Sequence, residues 1–145
     1  NLDHLYRLGQ AIGRIHAAGA AFPFQHRVPF TVQSFGHANV AFLLENSFIP
    51  ADLVPAYKSI AAEVLAEIEL NNPEAKQYKQ ISLHGDCHPG NVLWRNDSPH
   101  FVDFDDAMTG PAIQDLWMLL SGDRINKQKQ LSEIIEGYEM FHSFD

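Results

Sequence analysis

Asp86 and Asn91 stand five residues apart in the run His84-Gly85-Asp86-Cys87-His88-Pro89-Gly90-Asn91, and Asp103 follows twelve residues later. Those residue types at that spacing suit phosphoryl transfer. One carboxylate orients a hydroxyl and takes its proton, while an amide and a second carboxylate hold Mg²⁺ on the phosphates of a nucleotide. The transition state of that reaction is loose, so positioning dominates, and Asp86 is chiefly the residue that aims the attacking oxygen. Asn91 offers a carbonyl oxygen, a hard ligand suited to Mg²⁺. Asp103, at the end of the strand-like run Phe101-Val102, is the charged ligand between metal and phosphates.

Several elements must position these groups. Leu2, Leu5, Tyr6, Gly9, Ile12, Gly13 and His16 recur at spacings of three and four, which predicts a helix capped by Asn1 or Asp3 and stopped at Gly19. Gly9 and Gly13 share a face and permit close approach of another backbone. Residues 20–50 are broken by prolines, glycines and aromatics and read mostly as loop, with one short helix near 39–44. Asp52 then caps a second long helix, with Leu53, Tyr57, Ile60, Ala61, Val64, Leu65 and Ile68 as its apolar stripe and Asn71-Asn72-Pro73 at its end. A short strand, 81–84, enters the polar loop. Two more strands, 92–95 and 100–103, are joined by Asn96-Asp97-Ser98-Pro99, a linker of hairpin length. That return brings Asn91 and Asp103 side by side. Thr109 and Pro111 open a helix burying Ile113, Leu116, Trp117 and Leu120, which Ser121-Gly122 stops. A last helix, about 126–140, buries Leu131, Ile134, Ile135 and Tyr138. The expected fold is α+β and mainly helical, with a small hairpin carrying the polar residues.

Blander readings compete at each position. A lone Asp before a Pro-Gly turn is usually a cap or an Asx-turn, so the functional reading rests on the joint spacing. His84, Cys87 and His88 suggest zinc, but a structural zinc site takes four ligands in paired spacings and the chain has one cysteine. His84 is expected to pack beneath the loop, Cys87 to fill apolar space, and His88 either to touch substrate or to lie exposed. Asp103, Asp105 and Asp106 resemble the start of a calcium loop, yet the required Gly and Glu are missing. Asp105 remains a candidate for a supporting or second-metal role, and Asp106 reads as a solvated turn residue. Asp115 either complements a helix dipole or is a buried carboxylate holding the polar loop's backbone. Trp94 and Trp117 read as core. Arg14, His16, His26 and Arg27 form a possible polar cluster of structural type. A glycoside hydrolase with paired carboxylates leaves Asn91 without a role.

At 145 residues, with 46% hydrophobic and 19% charged residues, the chain has one domain's worth of soluble globular sequence. A net charge of −8 argues against a nucleic-acid partner. No apolar run is long enough to predict a membrane partner. The single cysteine excludes an internal disulfide and fits a cytoplasmic setting. The chain opens at Asn1 in mid-pattern, as a piece of a longer protein would.

The segment Ile81 to Gly122 resembles the aminoglycoside-phosphotransferase-type branch of the protein-kinase-like fold. His84-Gly85-Asp86, His88, Gly90 and Asn91 carry the superfamily signature, the counterpart of H-R-D-x-x-x-x-N. Val102 to Ala107 and Gly110 to Trp117 narrow the resemblance to bacterial Ser/Thr protein kinases of this branch. The resemblance implies Asp86 as proton acceptor, Asn91 as magnesium ligand, and Asp103 as both magnesium ligand and active-site residue. It implies ATP as phosphate donor, Mg²⁺ as cofactor and a protein Ser/Thr as acceptor, with an aminoglycoside-, choline- or homoserine-type small alcohol as the alternative. A kinase-like binding domain without catalysis is a further alternative, disfavoured because all three polar residues are present. No glycine-rich phosphate loop occurs in these residues. Residues 1–145 are therefore expected to be the central part of a C-terminal lobe, lacking the nucleotide lobe and the closing helices, and inactive alone.

Overall fold

The computed structural model describes residues 2–71 and 78–144. The chain divides into two compact units, one formed by the residues up to Arg27 together with those from Lys79 onward, the other by Val28–Tyr78.

In the first unit, helix α1 (Leu2–Ala21) lies against helix α4 (Arg124–Tyr138). Glycines make that contact possible. A Cβ on Gly9 would overlap the Ile134 carbonyl, and one on Gly137 would overlap that of Tyr6. The predicted close approach at Gly9 and Gly13 is therefore met by α4. Leu8 and Ile12 of α1 join Ile81, Leu83, Val92, Leu116, Leu119, Ile134 and Tyr138 in the core. Burying each such aliphatic side chain stabilises by about 1.5–3 kcal/mol before entropy is counted. α1 runs through Gly19, its predicted stop, to Ala21. A side chain at Gly19 would strike the Ser82 carbonyl, so this glycine serves packing rather than termination. Asp3 lies inside the first turn and pairs with Arg7 at 2.9 Å instead of capping. The alternative cap, Asn1, lies outside the described residues.

Two short antiparallel pairs frame the polar loop. β1 (Ile81–Leu83) pairs with β4 (Met108–Gly110), and β2 (Val92–Arg95) with β3 (Ser98–Phe101). The hairpin is tighter than the expected four-residue linker. Asn96 and Asp97 alone make the turn, at φ of 50° and 57°, and Arg95 faces Ser98. Asn and Asp tolerate that left-handed backbone, and the resulting turn matches the twist of the strands. Pro99 is accommodated because a two-stranded ribbon has only edges. The strand therefore ends at Phe101, and Asp103 lies beyond it.

The predicted helix at Thr109–Pro111 is absent. Thr109 belongs to β4, Pro111 is extended, and 3₁₀ turns follow at Ala112–Asp115 and Trp117–Leu119. Three residues per turn aligns Leu116 with Leu119, both buried, and removes the face that Ile113 and Trp117 would share in an α-helix. Ile113 is 40% and Trp117 54% exposed, so neither is core. Trp94 is not core either: it is 39% exposed and stacks on His4. α4 begins two residues before its predicted start because the Asp123 carboxylate accepts the Asn126 N–H at 2.8 Å. Ile134 and Tyr138 are fully buried, while Leu131 and Ile135 are half-buried.

The second unit opens with a capping box between Thr31 and Ser34 that starts a π-helical turn, Val32–His37. Helix α2 (Ala38–Glu45) continues from it, longer than the predicted segment, and α3 (Val54–Asn71) follows. Asp52 lies in the preceding turn and is not the cap of α3. The predicted ending at Asn72 and Pro73 lies outside the described residues. Of the predicted stripe only Leu65 is buried, over Gly36. Ile60 and Val64 are exposed. No helix among the described residues is long and apolar enough to cross a membrane.

Candidate active site

The loop 84–91 begins where β1 ends, and its first two backbone amides are held from beneath. His84 N–H donates to Asp115 Oδ2 at 2.7 Å, and Gly85 N–H to Oδ1 at 2.8 Å. Asp115 Oδ2 also receives His16 Nε2–H at 2.9 Å, and Tyr138 O–H meets His16 Nδ1 at 2.9 Å. Asp115, His16 and Tyr138 are all buried to 1% exposure or less. A buried carboxylate with three donors has its charge compensated, which removes most of the cost of burial. Of the two readings of Asp115, the structure supports the buried anchor for the loop. Gly85 has φ of 90°, and any Cβ there would overlap the Asp106 carbonyl, so glycine is required twice over.

His84 ties the loop to the segment leading into Asp103. Its Nε2–H donates to the Val102 carbonyl at 2.9 Å, and its Nδ1 accepts the Asp86 N–H at 3.3 Å. It packs under the loop, as the sequence suggests, with its ring against Phe104. Val102 N–H in turn donates to the Asn91 carbonyl at 3.1 Å. Both peptide groups of Val102 are thus held by the loop, and Asp103 is the next residue along. Asp103 is exposed and adopts φ of 65°, a backbone state that non-glycine residues seldom take outside turns and functional sites.

Asp86 and Asn91 are in direct contact. Asn91 Nδ2 donates to the Asp86 carbonyl at 3.0 Å and to its Oδ2 at 3.3 Å. Asn91 is 8% exposed. With its NH₂ group committed to Asp86, its Oδ1 is left as the hard donor. His88 Nε2 lies 3.4 Å from Asp86 Oδ2, and His88 Nδ1 accepts the Gly90 N–H at 3.0 Å. Pro89–Asn91 closes the loop as one 3₁₀ turn.

The remaining candidates separate. Among the described residues no three His, Cys, Asp or Glu side chains gather as a metal-holding group. Mg²⁺ asks for less from the protein, one or two oxygen ligands with waters and phosphates completing the octahedron. An amide and carboxylates fit it by type. Cys87 is buried, and burial first, then the charges of Asp115 and Asp86, push its thiol far up, so it stays protonated and inert. Arg27 donates to the Asp105 carbonyl at 2.6 Å, Arg14 lies over Phe141, and His16 is in the core, so these residues do not form one cluster. The stripe of α4 predicts Tyr138 only as core, yet it also carries a polar contact to His16, which backs the anchor. The signal available for that network was His16 at a stripe position of α1.

Comparison with known proteins agrees with this architecture. The model of the phosphotransferase enzyme family, APH, matches residues 1–145, and the chain belongs to that family. It is 41% identical over its whole length to stress response kinase A of Shigella flexneri and 40% identical to that of Escherichia coli K12. It is also 40% identical to the serine/threonine protein kinase RdoA of Salmonella typhimurium. The chain spans 43% of the length of each of these relatives. Among solved structures, an amicoumacin kinase in complex with AMP-PNP and Ca²⁺ superposes with a TM-score of 0.70 at 18% identity, over all of this chain and 45% of that one. An AMP-bound spectinomycin phosphotransferase gives 0.56 at 23% identity, over 95% and 49% of the two chains. The fold is the mainly helical α+β one of kinase-like phosphotransferases.

Proposed function

We propose that this chain is the central part of the C-terminal lobe of an ATP- and Mg²⁺-dependent kinase that phosphorylates protein Ser/Thr in a bacterial, cytoplasmic stress response. The observation that carries the reading is the contact of Asn91 Nδ2 with two of the Asp86 oxygens, the carbonyl and Oδ2. It holds the carboxylate and commits the amide nitrogen in one arrangement, so the amide oxygen is the end left to bind a cation. Asp86 holds the acceptor hydroxyl and takes its proton as the oxygen bonds to the γ-phosphorus and the bond to the ADP oxygen breaks. Asn91 Oδ1 and the Asp103 carboxylate would hold Mg²⁺, and the ion when bound would supply charge neutralisation on the phosphates. Asp115 and His84 act by keeping the loop and the Asp103 segment in register.

The protein acceptor rests on the relatives at 40–41% identity, two of which are named a stress response kinase and one a serine/threonine protein kinase. The test uses the full-length protein with ATP, a protein acceptor and a panel of alcohols. Asp86→Ala should lower turnover by about 10²–10⁴-fold. Asn91→Ala should raise the Mg²⁺ concentration needed for half-maximal rate. Unchanged turnover in the first variant removes the proposed base, and an identical magnesium curve in the second removes that ligand. Phosphorylation of an alcohol with none of protein would make the enzyme a small-molecule kinase.

A further inference from the structure

We propose that His88 is a positioning residue for Asp86, presenting its Nε2–H to Asp86 Oδ2 so that the other carboxylate oxygen is left for the acceptor hydroxyl. The inference rests on the phosphotransferase reading above and adds a role that the metal ligands and base do not cover.

Two observations fix the imidazole. The Gly90 N–H donates to Nδ1 at 3.0 Å, so Nδ1 carries the lone pair and the neutral ring has its proton on Nε2. That nitrogen is the one 3.4 Å from Asp86 Oδ2. The ring also lies over Gly90. A Cβ there would stand 2.6 Å from His88 Cε1 and 2.9 Å from Nδ1. Gly90 has no left-handed φ to explain it, so the absent side chain makes room for the imidazole. Asp86 Oδ2 thus accepts a hydrogen bond from Asn91 Nδ2 and has His88 Nε2 beside it at 3.4 Å, at charge-pair rather than hydrogen-bond geometry, both groups supplied by the same 3₁₀ turn and its cap. Contacts of this kind are commonly long before substrate binds and shorten in the reacting complex.

The bland alternative is that His88 only caps the turn through Nδ1. The two nitrogens can be tested apart. Asn places an acceptor where Nδ1 is and keeps the cap, but does not reach Asp86. Gln places an amide N–H near the position of Nε2 and loses the cap. Full-length protein would be assayed with Mg²⁺–ATP, using dephosphorylated casein and the alcohol panel as acceptors. H88A and H88N should both lose about tenfold in kcat, the worth of one hydrogen bond to a charged group, with KM for ATP nearly unchanged. H88Q should recover most of that loss, and G90A should reproduce it by displacing the ring. A wild-type kcat in H88N, or no recovery in H88Q, overturns the proposal in favour of a cap. Ring ¹⁵N NMR of the full-length protein provides a readout independent of turnover. An Nε2-protonated His88 perturbed by D86N is expected, and an Nδ1-protonated or freely averaging ring refutes the contact. Failure of wild type to phosphorylate any acceptor, with the NMR signature intact, would instead bring down the phosphotransferase reading and with it the orienting role.

Discussion

The loop's entry, at His84 and Gly85, sends both backbone amides onto the single carboxylate of Asp115, which is sealed from water and backed by His16 and Tyr138. The segment at Asp103 is its opposite. There the chain is exposed, leaves its strand and bends through φ of 65°. The first region places a fully partnered polar network where it can contribute to stability. The second places a carboxylate in solvent, where packing has no need of it. The contrast teaches that stability and turnover should respond to different residues of one small site.

The largest test breaks the buried side. Asp115→Ala removes the acceptor of three donors and leaves them in the interior, which should cost about 3–5 kcal/mol in urea unfolding of the full-length protein. A loss under about 1 kcal/mol would mean that the loop is held by something else. The next test addresses the exposed side. Asp103→Asn suits the left-handed backbone, so stability should stay within about 0.5 kcal/mol while kcat falls by about 10²–10³-fold. Equal damage to melting and to turnover would erase the distinction between the regions. The smallest effect belongs to Tyr138→Phe. It removes the hydroxyl from His16 Nδ1 and should cost about 1–2 kcal/mol, with kcat nearly unchanged because Asp115 keeps His16 Nε2–H. A large loss of kcat there would show that the anchor tunes the site as well as holding it.

The parts of the molecule that sequence exposed were those with a local cause. The stripe of α1, the existence of a helix at α3 and the spacing of Asp86 and Asn91 all depend on neighbours within a few residues. What escaped depended on partners far along the chain. Trp117 and Ile113 have the types and spacing of a buried helical face, yet the backbone from Ala112 onward winds as 3₁₀ turns, and no local signal separates that from an α-helix. β4 forms because β1 offers it an edge across 25 or more residues, as Leu83 facing Met108 illustrates. The stripe of α3 predicted a helix correctly but not that Ile60 and Val64 would stay exposed. For the site, Asp115 was legible as a choice between two roles, and only the geometry of His84 and Gly85 decided it. Tyr138 shows the limit: an aromatic on a stripe does not reveal in sequence that its hydroxyl has a polar task.

The Asn96–Asp97 reversal also restricts how this site can diverge. Its two arms are pinned at their base, where Val102 bonds Asn91, and they pair residue for residue up to Arg95 and Ser98. Identity at the tip is therefore cheap to vary, whereas length is quantised. One residue gained in a single arm must bulge out or slip the pairing, and slippage would swap the faces that Val92 and Phe101 turn toward the interior. Matched gains on both arms leave the base undisturbed, so an insertion that preserves the site should come in pairs.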